Sequence, residues 1–259
     1  MSFLSIPFIL TAFLIFVRVS SILMTAPFFG SEMIPKRVKL FFAMMVTVLL
    51  YPVIPLQGAT IPVTANSFDV IIAIFKEVSV GLAMGLVGQL IFGGVQFGGQ
   101  FISIQVGLGF SSVIDPLTQQ QNGVISQMLI LLGTIFFLAI GGDQIYIKAM
   151  VKSFEIVPLG TVHMAAPAPE LVKMAGELFV IGVQVASPFI IVFFLMDLTF
   201  AIFARIMPQA NVFFIELPLK VYVGLIMFGI IVPRLLPAFE NFFSMLFHNL
   251  EVILKVLSG

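Results

Sequence analysis

Charge stands in this chain where it is least expected. Arg18, the neighbours Lys76 and Glu77, Asp197, and the pair Glu216 and Lys220 lie in stretches otherwise apolar enough for hydrocarbon, where each charge costs at least about 2.5 to 3.5 kcal/mol. Such residues must be paired, or face protein or water. Their chemistry fits a coupling-ion site or a polar contact with another subunit, and equally a structural ion pair near the membrane interface. Glu216 and Lys220 are four apart, in the order that lets a helical glutamate reach a lysine. Pro218 between them also allows the two to flank a helix start. Other site chemistry is scarce. The chain has no cysteine and only two distant histidines, His163 and His248, so disulfides, thiolate metal sites and a histidine metal cage are not expected. No phosphate-cradling G-x-x-x-x-G-K-[ST] occurs, and no nucleophile, base and orienting group can be assembled. The expectation is a protein without catalytic residues, metal or cofactor.

The elements that position these charges follow from composition. Of 259 residues, 60% are hydrophobic and 9% charged, and the basic and acidic residues balance at 12 each. Soluble domains carry about 25% charged residues, so a water-soluble monomer is not expected. Balanced charge gives no pull toward nucleic acid. Apolar segments cover about 3–29, 38–56, 68–102, 123–147, 171–204 and 212–232, with an amphipathic end at 233–257 opened by Pro233 and Pro237. The first is too long and lacks the basic flank of a signal peptide, and reads as a retained helix. The proline-rich "PLGTVHMAAPAPE" at 158–170 is the best internal boundary. No strand-like alternation competes, so the class is all-α, a polytopic membrane-associated set of helical hairpins.

Topology tests that class. Lys36, Arg37 and Lys39 place the first turn on the cytoplasmic side, and the Lys/Arg-free link at 57–67 fits the outside. Strict alternation then puts Lys148, Lys152 and Arg234 outside, against the rule. Either one segment does not cross fully, or the chain does not sit in lipid as independent spans.

"GLAMGLVGQLIFGGVQFGGQ", residues 81–100, is apolar yet full of glycine. On a helix advancing roughly 100° per residue, Gly85, Gly88 and Gly99 fall within roughly 40° of Gly81, and Gln89, Gln96 and Gln100 fall at roughly 60° to 100° from it. Leu86, Leu90, Phe97 and Phe101 make the bulky opposite face. Small residues let a second backbone approach closely and amides bond across such a contact. The face therefore suits a contact within the chain, a contact to other subunits, or the wall of a water-filled route. The helix leads into "VGLGFSSVIDPLTQQQN", 106–122, whose Gly107, Gly109, Asp115 and Pro116 are loop residues.

Three blocks, "VRVSSILMTAPFFGSEMIPKRVK", "GLAMGLVGQLIFGGVQFGGQFISIQVGLGFSSVIDP" and "MPQANVFFIELPLK", resemble the FliR family of flagellar type III export-gate proteins, related to the SctT proteins of virulence secretion. The resemblance covers nearly the whole chain, and the glycine stretch and "NVFF…PLK" look flagellar. It implies a kinked glycine-rich helix in a FliP-like part, residues 1–165, followed by a FliQ-like hairpin and C-terminal helix, residues 166–259. It implies assembly with FliP-like, FliQ-like and FlhB-like subunits in the bacterial cytoplasmic (inner) membrane, within the flagellar basal body. There the complex is lifted partly out of the bilayer plane. By the resemblance, Val106, Gly107, Leu108, Gly109, Phe110, Ser111, Ser112, Val113, Ile114, Asp115, Pro116 and Leu117 form the pore plug, with Leu108, Phe110, Val113 and Ile114 as apolar stoppers. Glu216 departs from the family pattern, where a small residue is expected. The implied function is one wall and the plug of a channel for unfolded flagellar subunits. A self-sufficient secondary transporter or a purely structural pore scaffold are the alternatives.

Overall fold

The computed structural model describes residues 6–31, 34–54, 67–108, 123–162, 167–209 and 211–259. Within them helix is the regular structure throughout, with no strand. The helices are α1 (Ile6–Thr25), α2 (Lys36–Leu50), α3 (Ser67–Val106), α4 (Val124–Ala139), α5 (Gly142–Ile156), α6 (Pro167–Ile206) and α7 (Val212–Ser258). Four of them, α1, α3, α6 and α7, are long and apolar enough to cross a membrane. The pair α4 and α5 makes a fifth such span if its 70° bend is counted as one broken crossing.

Apolar content explains why these segments are helical, since helices satisfy every backbone group internally. The few hydroxyls in α1 do the same locally: Ser21 Oγ donates to Val17 O at 2.6 Å and Thr25 Oγ1 to Ser21 O at 2.7 Å. Glycine ends several elements. α3 stops at Gly107, whose φ of 91° is left-handed. At Gly141, φ 74°, the apolar run expected to continue to 147 instead breaks into α4 and α5, and Asp143 falls in the first turn of the new helix. That position suits an acid beside the positive end of a helix dipole.

Proline breaks less than expected. The segments 212–232 and 233–257 are one helix of 47 residues that passes through Pro218, Pro233 and Pro237. Each proline removes a donor and crowds the carbonyl one turn earlier. Pro233 and Pro237 are one turn apart, so both losses fall on the same side, and Phe239, Phe242, Phe243, Leu246 and Leu250 beyond them are buried. Burial of that C-terminal stretch outweighs two missing ladder bonds.

The chain forms two compact units. The first combines the residues up to Leu90 with Ile140–Ala175 and Ser244–Gly259, and the second combines Ile91–Ala139 with Gly176–Phe243. In the first, Ile15, Ile22, Met84, Tyr146, Phe154 and Leu250 are in the core; in the second, Ile102, Leu129, Phe137, Phe189, Phe193 and Phe243. Aromatic pairs knit the second core, with Phe92 edge-on to Phe137 at 5.8 Å and Phe137 edge-on to Phe243 at 5.2 Å.

Glycine in these units does two different things. A Cβ at Gly85 would overlap Thr25, whereas one at Gly176 would meet nothing within 4 Å. Alanine in an open helical position gains about 1 kcal/mol over glycine. Gly176→Ala should therefore raise the melting temperature in detergent and Gly85→Ala should lower it, a difference of sign that thermal unfolding of the two purified variants reads directly.

Candidate functional site

The glycine-rich helix α3 meets α1 and α5 in the first unit and α4, α6 and α7 in the second. In the first unit, a Cβ at Gly81 would collide with Ser21, at Gly85 with Thr25 and at Gly88 with Pro27, so α1 and the turn after it lie against the bare backbone of α3. Gln89 Nε2 donates to Thr25 O at 3.0 Å, satisfying a carbonyl at the end of α1. Tyr146 of α5 donates its hydroxyl to Met84 O at 2.7 Å. In the second unit, the same helix receives α6 at Gly94 and Gly98, opposite Ile181 and Gly182, and receives α4 at Gly99, opposite Ser126. Ser126 Oγ donates to Gln96 O at 3.0 Å. On the bulky face Leu86 and Phe101 are about 40% exposed, while Phe97 lies edge-on to Phe179 and against Gly182 of α6.

The end of α3 defines where the following loop leaves and returns. Val106 is fully buried, against Gly224 of α7, and Gly107 turns the chain out of the helix. The return point, Gly123, donates its N–H to Gln100 Oε1 at 2.7 Å, and a Cβ there would strike Ser103. Both ends of the loop are thus pinned to the last two turns of one helix. Of the plug residues implied by the resemblance, Val106, Gly107 and Leu108 are described; Gly109, Phe110, Ser111, Ser112, Val113, Ile114, Asp115, Pro116 and Leu117 lie outside the described residues, as does His163.

The charged residues form two separate arrangements. In the first unit Arg18 and Glu77 are fully buried and joined by Nε donating to Oε2 at 2.6 Å. Arg18 Nη1 donates to Ser153 O at 3.0 Å and Val157 O at 2.9 Å, carbonyls at the C-terminus of α5. The Phe154 ring lies 4.4 Å from the guanidinium carbon. Glu77 Oε1 accepts the N–H of Gly160 at 2.9 Å, and Lys76 Nζ donates to Gly160 O at 2.9 Å. A cation at a helix C-terminus is favourable, and here its own charge is balanced by Glu77. The result ties α1, α3, α5 and the turn at Gly160 into one polar knot in which Arg18 and Glu77 are paired. Sequence reasoning named Arg18, Lys76 and Glu77 but not their partners. Ser153, Val157 and Gly160 act through the backbone, for which only Gly160, in a Pro-Leu-Gly turn, left a signal.

The second unit holds the other set. Lys220 Nζ lies 2.5 Å from Asp197 Oδ1 and 2.7 Å from Glu216 Oε1. Glu216 and Lys220 are therefore one turn apart within α7, despite Pro218. Two carboxylates share one ammonium, and the formal sum is one negative charge. Glu216 and Lys220 also line a cavity of about 260 Å³ with Ile104, Gln105, Phe213 and Leu217, next to Gly107. A charged cluster left partly open in this way is suited to water or protein, not to hydrocarbon.

With this geometry in view, likeness to known proteins becomes informative. Residues 9–246 match the family described as bacterial export proteins, family 1. The chain belongs to that family. It is 31% identical over 250 residues to the flagellar biosynthetic protein FliR of Aquifex aeolicus (strain VF5), covering 96% of this chain and 95% of that protein. It is 30% identical to the FliR of Escherichia coli (strain K12) over 93% of this chain and 91% of that one, and 32% identical to the FliR of Caulobacter vibrioides over 83% and 85%. The family fits the all-helical architecture and its several helices long and apolar enough to cross a membrane.

Two sets of substitutions separate the roles of the charges. Arg18→Met strands a buried carboxylate, a loss of about 3–5 kcal/mol by comparison with broken buried pairs. Arg18→Met with Glu77→Leu should recover part of that, because the Gly160 N–H and the α5 carbonyls stay unpaired; detergent melting curves measure both. In the second unit, Lys220→Met should be more harmful than Asp197→Asn. The first leaves two carboxylates facing each other, and the second leaves a neutral pair, so the yield of folded protein from size-exclusion chromatography should rank Asp197→Asn above Lys220→Met.

Proposed function

We propose that this chain is the FliR-type subunit of the flagellar type III protein export gate, residing in the bacterial inner membrane within the basal body. It contributes one wall of the channel for unfolded flagellar subunits, and its 106–122 loop is the plug. Its partners are FliP-like, FliQ-like and FlhB-like subunits, with residues 1–165 as the FliP-like part and 166–259 as the FliQ-like hairpin and C-terminal helix. Energy for transport comes from elsewhere in the export machine, and this subunit performs no catalysis.

The observation that carries the gating role is the anchoring of the loop. A segment meant to close a channel needs fixed ends, and Gly107 and Gly123 are both fastened to α3, the second through Gln100. Glycine at 107 permits the left-handed turn that aims the chain out of the helix. The charges support a passive role. Arg18 and Glu77 are enclosed and bonded to fixed backbone groups, which suits a structural knot better than a site that loads and releases an ion at each turnover.

Deletion of residues 108–117 within the assembled complex should raise ion conductance across the membrane, read as current in planar bilayers or as swelling of intact cells, while the complex still co-purifies at unchanged stoichiometry. Unchanged conductance from a complex of normal composition would remove the plug assignment.

A further inference from the structure

The open charge cluster of the second unit carries a negative charge that nothing in this chain balances. Lys220 Nζ meets both Asp197 Oδ1 and Glu216 Oε1, so two carboxylates share one ammonium. All 12 lysines and arginines of the chain are among the described residues, and the sequence 109–122, which follows the end of α3 beside the cluster, includes no lysine, arginine or histidine. None of the other ion pairs reaches Asp197 or Glu216. Arg205, the next base along α6, is eight residues from Asp197, about 12 Å at 1.5 Å per residue. That exceeds the roughly 8 Å over which exposed charges are felt at physiological salt.

The same place has room for a further side chain. The cavity of about 260 Å³ is walled by Ile104, Gln105, Phe213, Glu216, Leu217 and Lys220, and a cavity of about 150 Å³ already holds benzene. Gln105 is half-buried, and among the described residues its side chain has no hydrogen-bond partner, so its amide oxygen is left to accept a bond from whatever enters. The surroundings are apolar. Ile104 and Phe213 in the wall are more than half exposed, and Phe194 and Leu198 of α6 and Leu219 of α7 are exposed as well. A metal ion does not fit, because Lys220 already holds the position between the two carboxylates. A zwitterionic lipid head brings a phosphate beside its cation and so returns the negative charge. A basic side chain on an apolar helix brings the positive charge alone and covers the exposed side chains with the rest of its surface. Arginine suits such a contact best, being weakly hydrated and able to donate several bonds from one planar group.

We infer that the cavity between the end of α3 and α7 is a docking site for a helix of a neighbouring protein chain, one arginine or lysine of an otherwise apolar stretch entering beside Glu216 and Gln105 and neutralising the cluster. Opposite charge at a fixed point gives such a contact its register and excludes partners that lack the base. Neither the plug nor the channel wall enters this contact, and the conductance of a loop deletion does not bear on it.

The test keeps the full-length chain in its native membrane. p-Benzoylphenylalanine in place of Phe213 sets a photoreactive ring in the cavity wall, and the cross-links it forms under light, mapped by mass spectrometry, should fall within one helical turn of an arginine or lysine in an apolar segment of another chain. Glu216→Gln should then lower the yield of the purified complex with that chain by at least about tenfold. The isolated Glu216→Gln chain should melt at the parent temperature, because Asp197 and Lys220 remain as a neutral pair. Glu216→Lys should abolish the complex, and a glutamate in place of the partner's base should restore it. Cross-links to lipid or to this chain alone, a cross-linked partner segment without a base, or an undiminished complex with Glu216→Gln would each overturn the inference. So would a melting temperature of the isolated Glu216→Gln chain that falls along with the complex, since the carboxylate would then serve this chain's own fold.

Discussion

Close approach of helix backbones to α3 is the constraint on which both units depend. Between helices in a membrane, hydrocarbon competes equally well for apolar side chains, so association has to come from fine packing, interhelical hydrogen bonds and displaced lipid. Gly81, Gly85 and Gly88 let Ser21, Thr25 and Pro27 touch the α3 main chain, and Gly94, Gly98 and Gly99 do the same for α6 and α4. Each glycine weakens an isolated helix by about 1 kcal/mol. The loss is offset because a residue with no side chain turns the backbone of a neighbour into a contact surface, with polar groups such as Gln89 and Ser126 bonded across it. Leu86 and Phe101 can then be left outside, where lipid or another subunit is as good a solvent as the interior.

Close packing alone does not fix how α5 meets α1 and α3, and the buried charges do. Arg18 reaches carbonyls at the end of α5 while holding Glu77, and Glu77 in turn holds the Gly160 turn that follows α5. Apolar side chains can slide past one another at small cost, but a guanidinium with three fixed acceptors cannot. The pair thus sets register. Registry is the best attested use of buried polar groups, and it fits a subunit whose neighbours must meet it in one geometry.

The legibility of this arrangement follows the range of the interactions. The glycine and glutamine faces of α3 were visible in the sequence because a helix repeats every 3.6 residues, so Gly81, Gly85, Gly88 and Gly99 align without knowledge of any partner. The choice of Arg18 and Glu77 as special was visible because charge in an apolar run is itself a signal. Their partnership was not, since 59 residues separate them and their further partners are backbone carbonyls and amides that every residue owns. Gly141 shows the intermediate case. Its left-handed φ splits an apolar run that hydropathy reads as continuous, and the "GGD" that marks the break resembles an ordinary tolerated glycine pair until the bend is seen. Pro233 and Pro237 erred in the opposite direction: local chemistry argued for a new helix, and the buried stretch that follows overrode it.

The two charge clusters illustrate how far enclosure decides a residue's use. Arg18 and Glu77 are alike in burial and opposite in sign, so the fields of this pair largely cancel within a few ångströms. Asp197, Glu216 and Lys220 do not cancel, and their remaining negative charge lies beside the cavity at Gly107, where the loop leaves α3. Among exposed apolar side chains such as Phe194, Leu198, Phe213 and Leu219, that charge disfavours hydrocarbon by a few kcal/mol. A surface that is too apolar for water along most of its length and too charged for lipid at one point is best matched by protein, which supplies both kinds of neighbour at fixed positions. The second unit therefore has the surface of a component, and its stability as an isolated chain in a bilayer is lower than its helical content suggests.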